Sequence, residues 1–179
     1  MKIEKKILGE KRRELILKWL KESGLPLTGA ELAAKANVSR QVIVQDISLL
    51  KARNEPIIAT SQGYLYLKTP APNQFYTRTI ACYHTPEQTK EELYLIVDHG
   101  VTIKDVKIEH PVYGDLTASV MVSSRQEVDQ FIQKIKQTNS SYLLQLTDGT
   151  HLHTLEADSL AKLDAACQAL QKAGFLIES

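Results

Sequence analysis

The sequence predicts an N-terminal α domain with a small β-wing, followed by a C-terminal α+β sandwich. Three observations predict it. The net charge of +1 over 179 residues is unevenly split. Residues 1–68 hold 13 Lys and Arg against 7 Asp and Glu, a net of +6; residues 69–179 hold 9 against 14, a net of −5. Apolar residues recur at helical spacing through the first fifty positions, and strand-like and helix-like stretches alternate beyond residue 75. Between the two lies a polar stretch with Pro70 and Pro72, which the fixed proline φ stiffens and keeps from being helical. The boundaries are read as 5–68, a linker at 69–74, and 75–179.

The composition excludes several classes. With 43% hydrophobic residues the chain can bury two modest cores. No apolar run approaches the ~20 residues of a membrane span, so no membrane partner is expected. Residues 1–6 lack the apolar core of a secretory signal. Cys82 and Cys167 are far apart and in no Cys-x-x-Cys pattern. A reduced, cytoplasmic setting is expected.

In the basic half, residues 7–23 read as a helix with Leu8, Leu15, Ile16, Trp19 and Leu20 on one stripe, ended by Gly24 and Pro26. Lys11, Arg12 and Arg13 lie off that stripe, as a solvated face or a phosphate contact. Thr28 with Glu31 forms a capping box for a second helix, in which Leu32, Ala33 and Ala36 face inward. A break at Asn37-Val38 precedes Ser39, the cap of a third helix, whose Ile43, Ile47 and Leu50 mark the buried side. Two short helices around a tight break form a helix-turn-helix, whose second helix enters the DNA major groove. Ser39, Arg40, Gln41, Val44 and Gln45 occupy its outer side. Arginine reads guanine, glutamine reads adenine, and valine meets the thymine methyl. Residues 57–67 form two alternating segments around Gly63. This is a wing, whose tip at residues 60–62, Ser61 included, reaches the DNA backbone or minor groove. The basic half is therefore expected to bind operator DNA.

In the acidic half, residues 75–83 read as a strand. Thr85, Pro86 and Gln88 open a helix that ends near His99-Gly100, with His99 as a structural cap. Residues 101–109 and 116–122 read as strands flanking a turn at 111–115. Ser124 and Glu127 open a helix with Val128, Phe131, Ile132 and Ile135 on one face. Asp148-Gly149 reads as the turn of a hairpin joining 142–146 to 150–155, with Leu146 opposite His151 and Leu144 opposite His153. The last helix runs from Asp158 to Gly174, burying Leu160, Leu163, Cys167 and Leu170.

All five histidines lie in this half. His151 and His153 are two apart on a strand and share a face, which is half of a common metal site. His84 sits at a strand end, and Glu92 lies two turns into the next helix. Together the four make a three-imidazole, one-carboxylate set suited to zinc, nickel or iron. His110 is in phase with Val106 and Ile108, on the apolar side of its strand, and needs a hydrogen-bond partner or a ligand there.

Residues 27–67 resemble the winged helix-turn-helix of many bacterial repressors and of the bifunctional biotin ligases. His84, the His110-Pro111-Val112-Tyr113-Gly114 turn and His151-Leu152-His153 look like a three-histidine domain. In this order the two resemble the niacin-responsive transcriptional repressors of Gram-positive bacteria and Thermotogales. The resemblance implies repression of genes for NAD precursor synthesis and uptake, a dimeric working unit, nicotinic acid as co-repressor, and a divalent metal in the second domain. Carried over by position, the metal ligands are His84, Glu92, His151 and His153, with Glu91 adjacent to the carboxylate position. His110, Tyr113 and Arg78 are expected to hold the remainder of the pyridine carboxylate. Many relatives place basic residues where this chain has Val44 and Gln45.

Two other classes fit the same residues. A metal-responsive regulator needs no organic ligand. A metal-dependent enzyme with a regulatory head would use the ligand set to activate water, but the chain has no Gly-rich phosphate loop, no nucleophile elbow and no biotin-ligase Gly-Arg-Gly-Arg loop.

Overall fold

The structure, a computed structural model, describes residues 8–67 and 75–177. The chain divides into two compact units, Met1–Ala71 and Pro72–Ser179. The linker expected at 69–74 lies outside the described residues. No helix among them is long and apolar enough to cross a membrane.

The N-terminal unit contains α1 (Gly9–Ser23), α2 (Gly29–Ala36) and α3 (Arg40–Ala52), then the antiparallel pair β1 (Ile57–Thr60) and β2 (Gly63–Tyr66). Gly24, at φ +64, ends α1. The Thr28 hydroxyl accepts from the Glu31 N–H at 3.2 Å, and the Glu31 carboxylate accepts from the Thr28 N–H at 2.6 Å, which completes the capping box. Asn37 takes the left-handed conformation that reverses the chain, and the Ser39 hydroxyl caps α3 through the Val42 N–H. Leu27 bridges to Tyr64 through two main-chain hydrogen bonds of 2.9 and 2.8 Å. At Gly63, φ is +140 and a Cβ would stand 2.6 Å from the Leu27 main chain, so glycine is required there. Ile16, Leu20, Leu32, Ile43, Ile47 and Leu50 form the core.

Two expectations for α1 are corrected. Leu8 is 82% exposed, because it precedes the helix as its N-cap and cannot join the stripe. Arg12 and Arg13 do not form a solvated face, because a carboxylate within the unit engages both. Arg12 is buried, with Nε 2.5 Å from Asp46 Oδ2, and Arg13 Nη1 lies 3.1 Å from Asp46 Oδ1. The Asp46 carboxylate on α3 collects both guanidiniums and fixes α3 against α1.

The C-terminal unit contains β3 (Tyr76–Tyr83), α4 (Thr89–Val97), β4 (Thr102–His110), β5 (Gly114–Ala118), α5 (Arg125–Thr138), β6 (Thr150–Ala157) and α6 (Leu160–Lys172). The strands form one antiparallel sheet in the order β3-β6-β4-β5. Ile80 and Cys82 on β3, Ile103 on β4 and Leu155 on β6 share the face that packs against Leu93 and Ile96 of α4, Val128 of α5 and Leu163 of α6. The opposite face carries Thr77, Thr79, Lys107, Thr154 and Glu156.

The expected hairpin at 142–155 does not form. Leu143–Thr147 is a 3-10 helix capped by Gln145 on the Tyr142 N–H. The new partner of β6 is β3, with His151 opposite Cys82 and His153 opposite Ile80, and Val106 of β4 flanks His153 on the other side. Asp148 and Gly149 have the positive φ that a two-residue hairpin turn needs, but they end a helical turn instead. Leu160 is 51% exposed, because α6 begins at its position and Ser159 supplies the cap. Gly114 and Asp115 belong to β5 and not to the preceding turn.

Candidate metal centre and ligand cavity

Four side chains converge beneath α4. Glu92, in its first turn, is 1% exposed, while Glu91 is exposed; the helix phase selects Glu92. His84 follows β3, and His151 and His153 point from β6 to the helix side of the sheet; all three are buried. Their Nε2 atoms surround the carboxylate: His84 at 2.7 Å from Oε2, His151 at 3.1 Å from Oε1, His153 at 3.3 Å from Oε2. The His84 nitrogen is close to the carboxylate but misaligned for a hydrogen bond with it.

Each imidazole is aimed by its other nitrogen. His84 Nδ1 is 2.8 Å from the Thr85 carbonyl oxygen, His151 Nδ1 is 2.9 Å from that of Gly149, and His153 Nδ1 is 2.7 Å from that of Asp105. A carbonyl only accepts, so each Nδ1 carries hydrogen, and Nε2 is left to present a lone pair when the ring is neutral. Such outer hydrogen bonds are the rule for metal-bound histidine. Gly149 also approaches the chain at His84 so closely that a Cβ would sit 2.6 Å from the His84 carbonyl oxygen, at φ +100.

Without metal, the Glu92 carboxylate favours the protonated rings of His84 and His153. Burial works to lower the His84 and His153 pKa values, but the Glu92 charge outweighs it and raises both. Burial works to raise that of Glu92, and the attraction of His153 with the contacts from all three rings holds it well below the usual range. The same lone pairs and charge suit a zinc, nickel or iron ion in exchange for those protons, so the donor set fits a divalent metal.

Cys82 is a neighbour that sequence reasoning missed. Its sulfur, a Glu92 oxygen and a His151 nitrogen lie within 4.8 Å of one another. Burial, then the Glu92 charge, pushes its thiol up and keeps it protonated. Its place on β3, two residues before His84, was the available signal.

A cavity of about 190 Å³ opens beside this cluster, with Glu92, His151 and His153 in its wall and Val106, Phe131 and Leu144 among its apolar lining. Thr89, one turn before Glu92, also lines it. Arg78, His110 and Tyr113, expected to hold an organic ligand, do not. Arg78 Nη2 pairs with Asp164 Oδ1 at 2.7 Å and anchors α6. His110 Nδ1 accepts from the N–H groups of Val112 and Tyr113, closing the β4–β5 turn. Tyr113 stands 75% exposed on that turn. His99 caps α4, its Nδ1 2.7 Å from the Leu95 carbonyl oxygen.

In the N-terminal unit, Ser39, Arg40, Gln41 and Gln45 are exposed, while Val44 on α3 and Ser61 at the wing tip are half-buried.

Comparison with known proteins covers both units. A model of the HTH domain matches residues 12–65, and a model of the 3H domain matches residues 77–179. The transcription repressor NadR of Bacillus subtilis (strain 168) is 65% identical over 176 residues, spanning 98% of each chain. The probable transcription repressor NiaR of Thermotoga maritima is 40% identical over 173 residues, spanning 97% of each. An uncharacterized protein of Methanothermus fervidus is 29% identical over 106 residues, which is 55% of this chain and 17% of that one. The chain therefore belongs to the family of NadR- and NiaR-type transcription repressors, which join a helix-turn-helix domain to a 3H domain.

Proposed function

We propose that this chain represses genes of NAD precursor synthesis and uptake by binding operator DNA as a homodimer, with nicotinic acid as co-repressor and a divalent transition metal in the 3H domain. Its family makes it a transcription regulator and not an enzyme. The observation that carries the proposal is the cluster of three main-chain-aimed imidazoles around Glu92, opening onto an apolar cavity of about 190 Å³. A planar pyridine ring suits such a cavity.

His84, Glu92, His151 and His153 would hold the metal, which supplies a Lewis acid for the anionic or pyridine-nitrogen end of the ligand. Arg40, Gln41 and Gln45, with Val44, would meet base edges, and Ser39 and Ser61 the backbone. Ligand favours the DNA-competent dimer only as far as it binds that form better. Coupling of about 1–3 kcal/mol changes operator affinity roughly 5- to 150-fold.

Fluorescence anisotropy on operator DNA tests this, with full-length protein, nicotinate and metal titrated separately and together. Tightening is expected with both present and loss of the effect with chelator. A titration unmoved by nicotinate at every metal concentration overturns the co-repressor; tightening by metal alone turns the reading into a metal sensor.

A further inference from the structure

Thr89 is 5% exposed, and its hydroxyl has no hydrogen-bond partner among the described residues. An unpaired buried hydroxyl is destabilising, whereas a valine of the same shape would not be. This one lines the cavity beside the metal centre. Thr89 and Glu92 are three apart on α4, so they stand on one helix face with Cβ atoms about 5–6 Å apart. A molecule reaching from the carboxylate cluster to this hydroxyl must carry polar groups at two ends, separated by roughly the width of a six-membered ring. Between those ends the walls are Leu93, Val106, Phe131 and Leu144, which suit a flat apolar body. Among the described residues no lysine or arginine lines the cavity, so an anionic end is neutralised at the metal, and a hydroxyl suffices for the other end.

We propose that Thr89 is a specificity-determining residue of the effector cavity, hydrogen-bonding the ligand end distant from the metal and selecting rings with two polar ends. The proposal rests on the effector reading above. It replaces Arg78, His110 and Tyr113 with a residue that faces the cavity, and it explains why an unsatisfied hydroxyl is retained there.

The test is calorimetry on zinc-loaded full-length protein with nicotinate, benzoate and pyridine as probes. Wild type is expected to bind nicotinate at least about tenfold more tightly than either one-ended analogue. Thr89→Val should lose about tenfold for nicotinate and leave the better-bound analogue within twofold; Thr89→Ser should restore nicotinate binding. Without ligand or metal, Thr89→Val should melt about 2–5 °C higher than wild type, because an unsatisfied buried hydroxyl is gone. A threonine kept for stability predicts the opposite shift. Should the valine variant not fold, Thr89→Ala is read in the same way. Unchanged nicotinate affinity in the variant, with wild type binding normally, overturns the role of Thr89 alone. Zinc-loaded wild type that binds no nicotinate overturns the effector reading and this role together.

Discussion

Asp46 in the N-terminal unit and Glu92 in the C-terminal unit are the two carboxylates buried among the described residues, and different bases surround them. Asp46 is met by the guanidiniums of Arg12 and Arg13, groups that hold their charge wherever proteins fold. Its pairing is permanent, and it fixes the recognition helix to α1. Glu92 is met by three imidazoles, each able to give up its proton and offer a lone pair instead. The identity of the base decides whether a buried carboxylate is a clamp or a socket. The proposed function needs a rigid reading head in one domain and an exchangeable occupant in the other.

Three measurements sharpen or break that contrast. Asp46→Ala should have the largest effect, because it removes the buried carboxylate that meets the Arg12 and Arg13 guanidiniums; a loss of about 3–5 kcal/mol is expected, read by urea denaturation and not recovered by metal. Glu92→Gln should instead abolish the response to metal. Metal at about a hundred times its Kd should stabilise the wild-type protein by about 2.7 kcal/mol, and the variant by none. Without metal its loss should be smaller than that of Asp46→Ala, because the imidazoles can shed their protons. Equal losses would put the two carboxylates in one class.

The smallest effect is on pH. The raised His84 and His153 pKa values contribute stability that is full below about 6.5 and lost as pH rises through their folded values. The lowered Glu92 contributes stability present above about 4.5 and lost as pH falls through its folded value. The metal-free domain should therefore be most stable between those limits and weaken toward alkaline pH. Metal requires the neutral imidazoles, so its stabilising increment should grow over the same alkaline range. Parallel melting curves with and without metal from pH 5 to 9 would contradict the proton–metal exchange.

Legibility in the sequence followed the range of the interaction. Caps and breaks are local, so the Thr28–Glu31 box, the Asn37 turn and the Ser39 cap were readable, and they place the helix-turn-helix. The convergence of the histidines was readable for a related reason. The two-residue period of a strand puts His151 and His153 on one face whatever their neighbours, whereas the choice between Glu91 and Glu92 stayed open until the packed helix buried Glu92 and left Glu91 exposed. Pairing was not readable. Asp148 and Gly149 do adopt positive φ, but that conformation serves a hairpin and the end of a 3-10 turn alike. The true partner of β6, β3, begins some seventy residues earlier. The Arg12–Asp46 contact spans 34 positions and left no local mark. Arg78 and His110 have donors or acceptors on the right strands, but Asp164 and the turn amides at Val112 and Tyr113 already engage them.

The carbonyls of Thr85, Asp105 and Gly149 that aim the imidazoles belong to the main chain, and every residue type carries one. The aim of the three imidazoles is therefore insulated from the identity of the residues that supply those carbonyls. Exchanges at Val106, Phe131 or Leu144 can reshape what the cavity accepts without re-aiming a single ring. Of the three supporting positions, Gly149 is tied to its identity, since a side chain there would strike the His84 carbonyl. Under the proposed function, a receptor organised in this way can acquire a taste for a new small molecule while its metal chemistry stays constant.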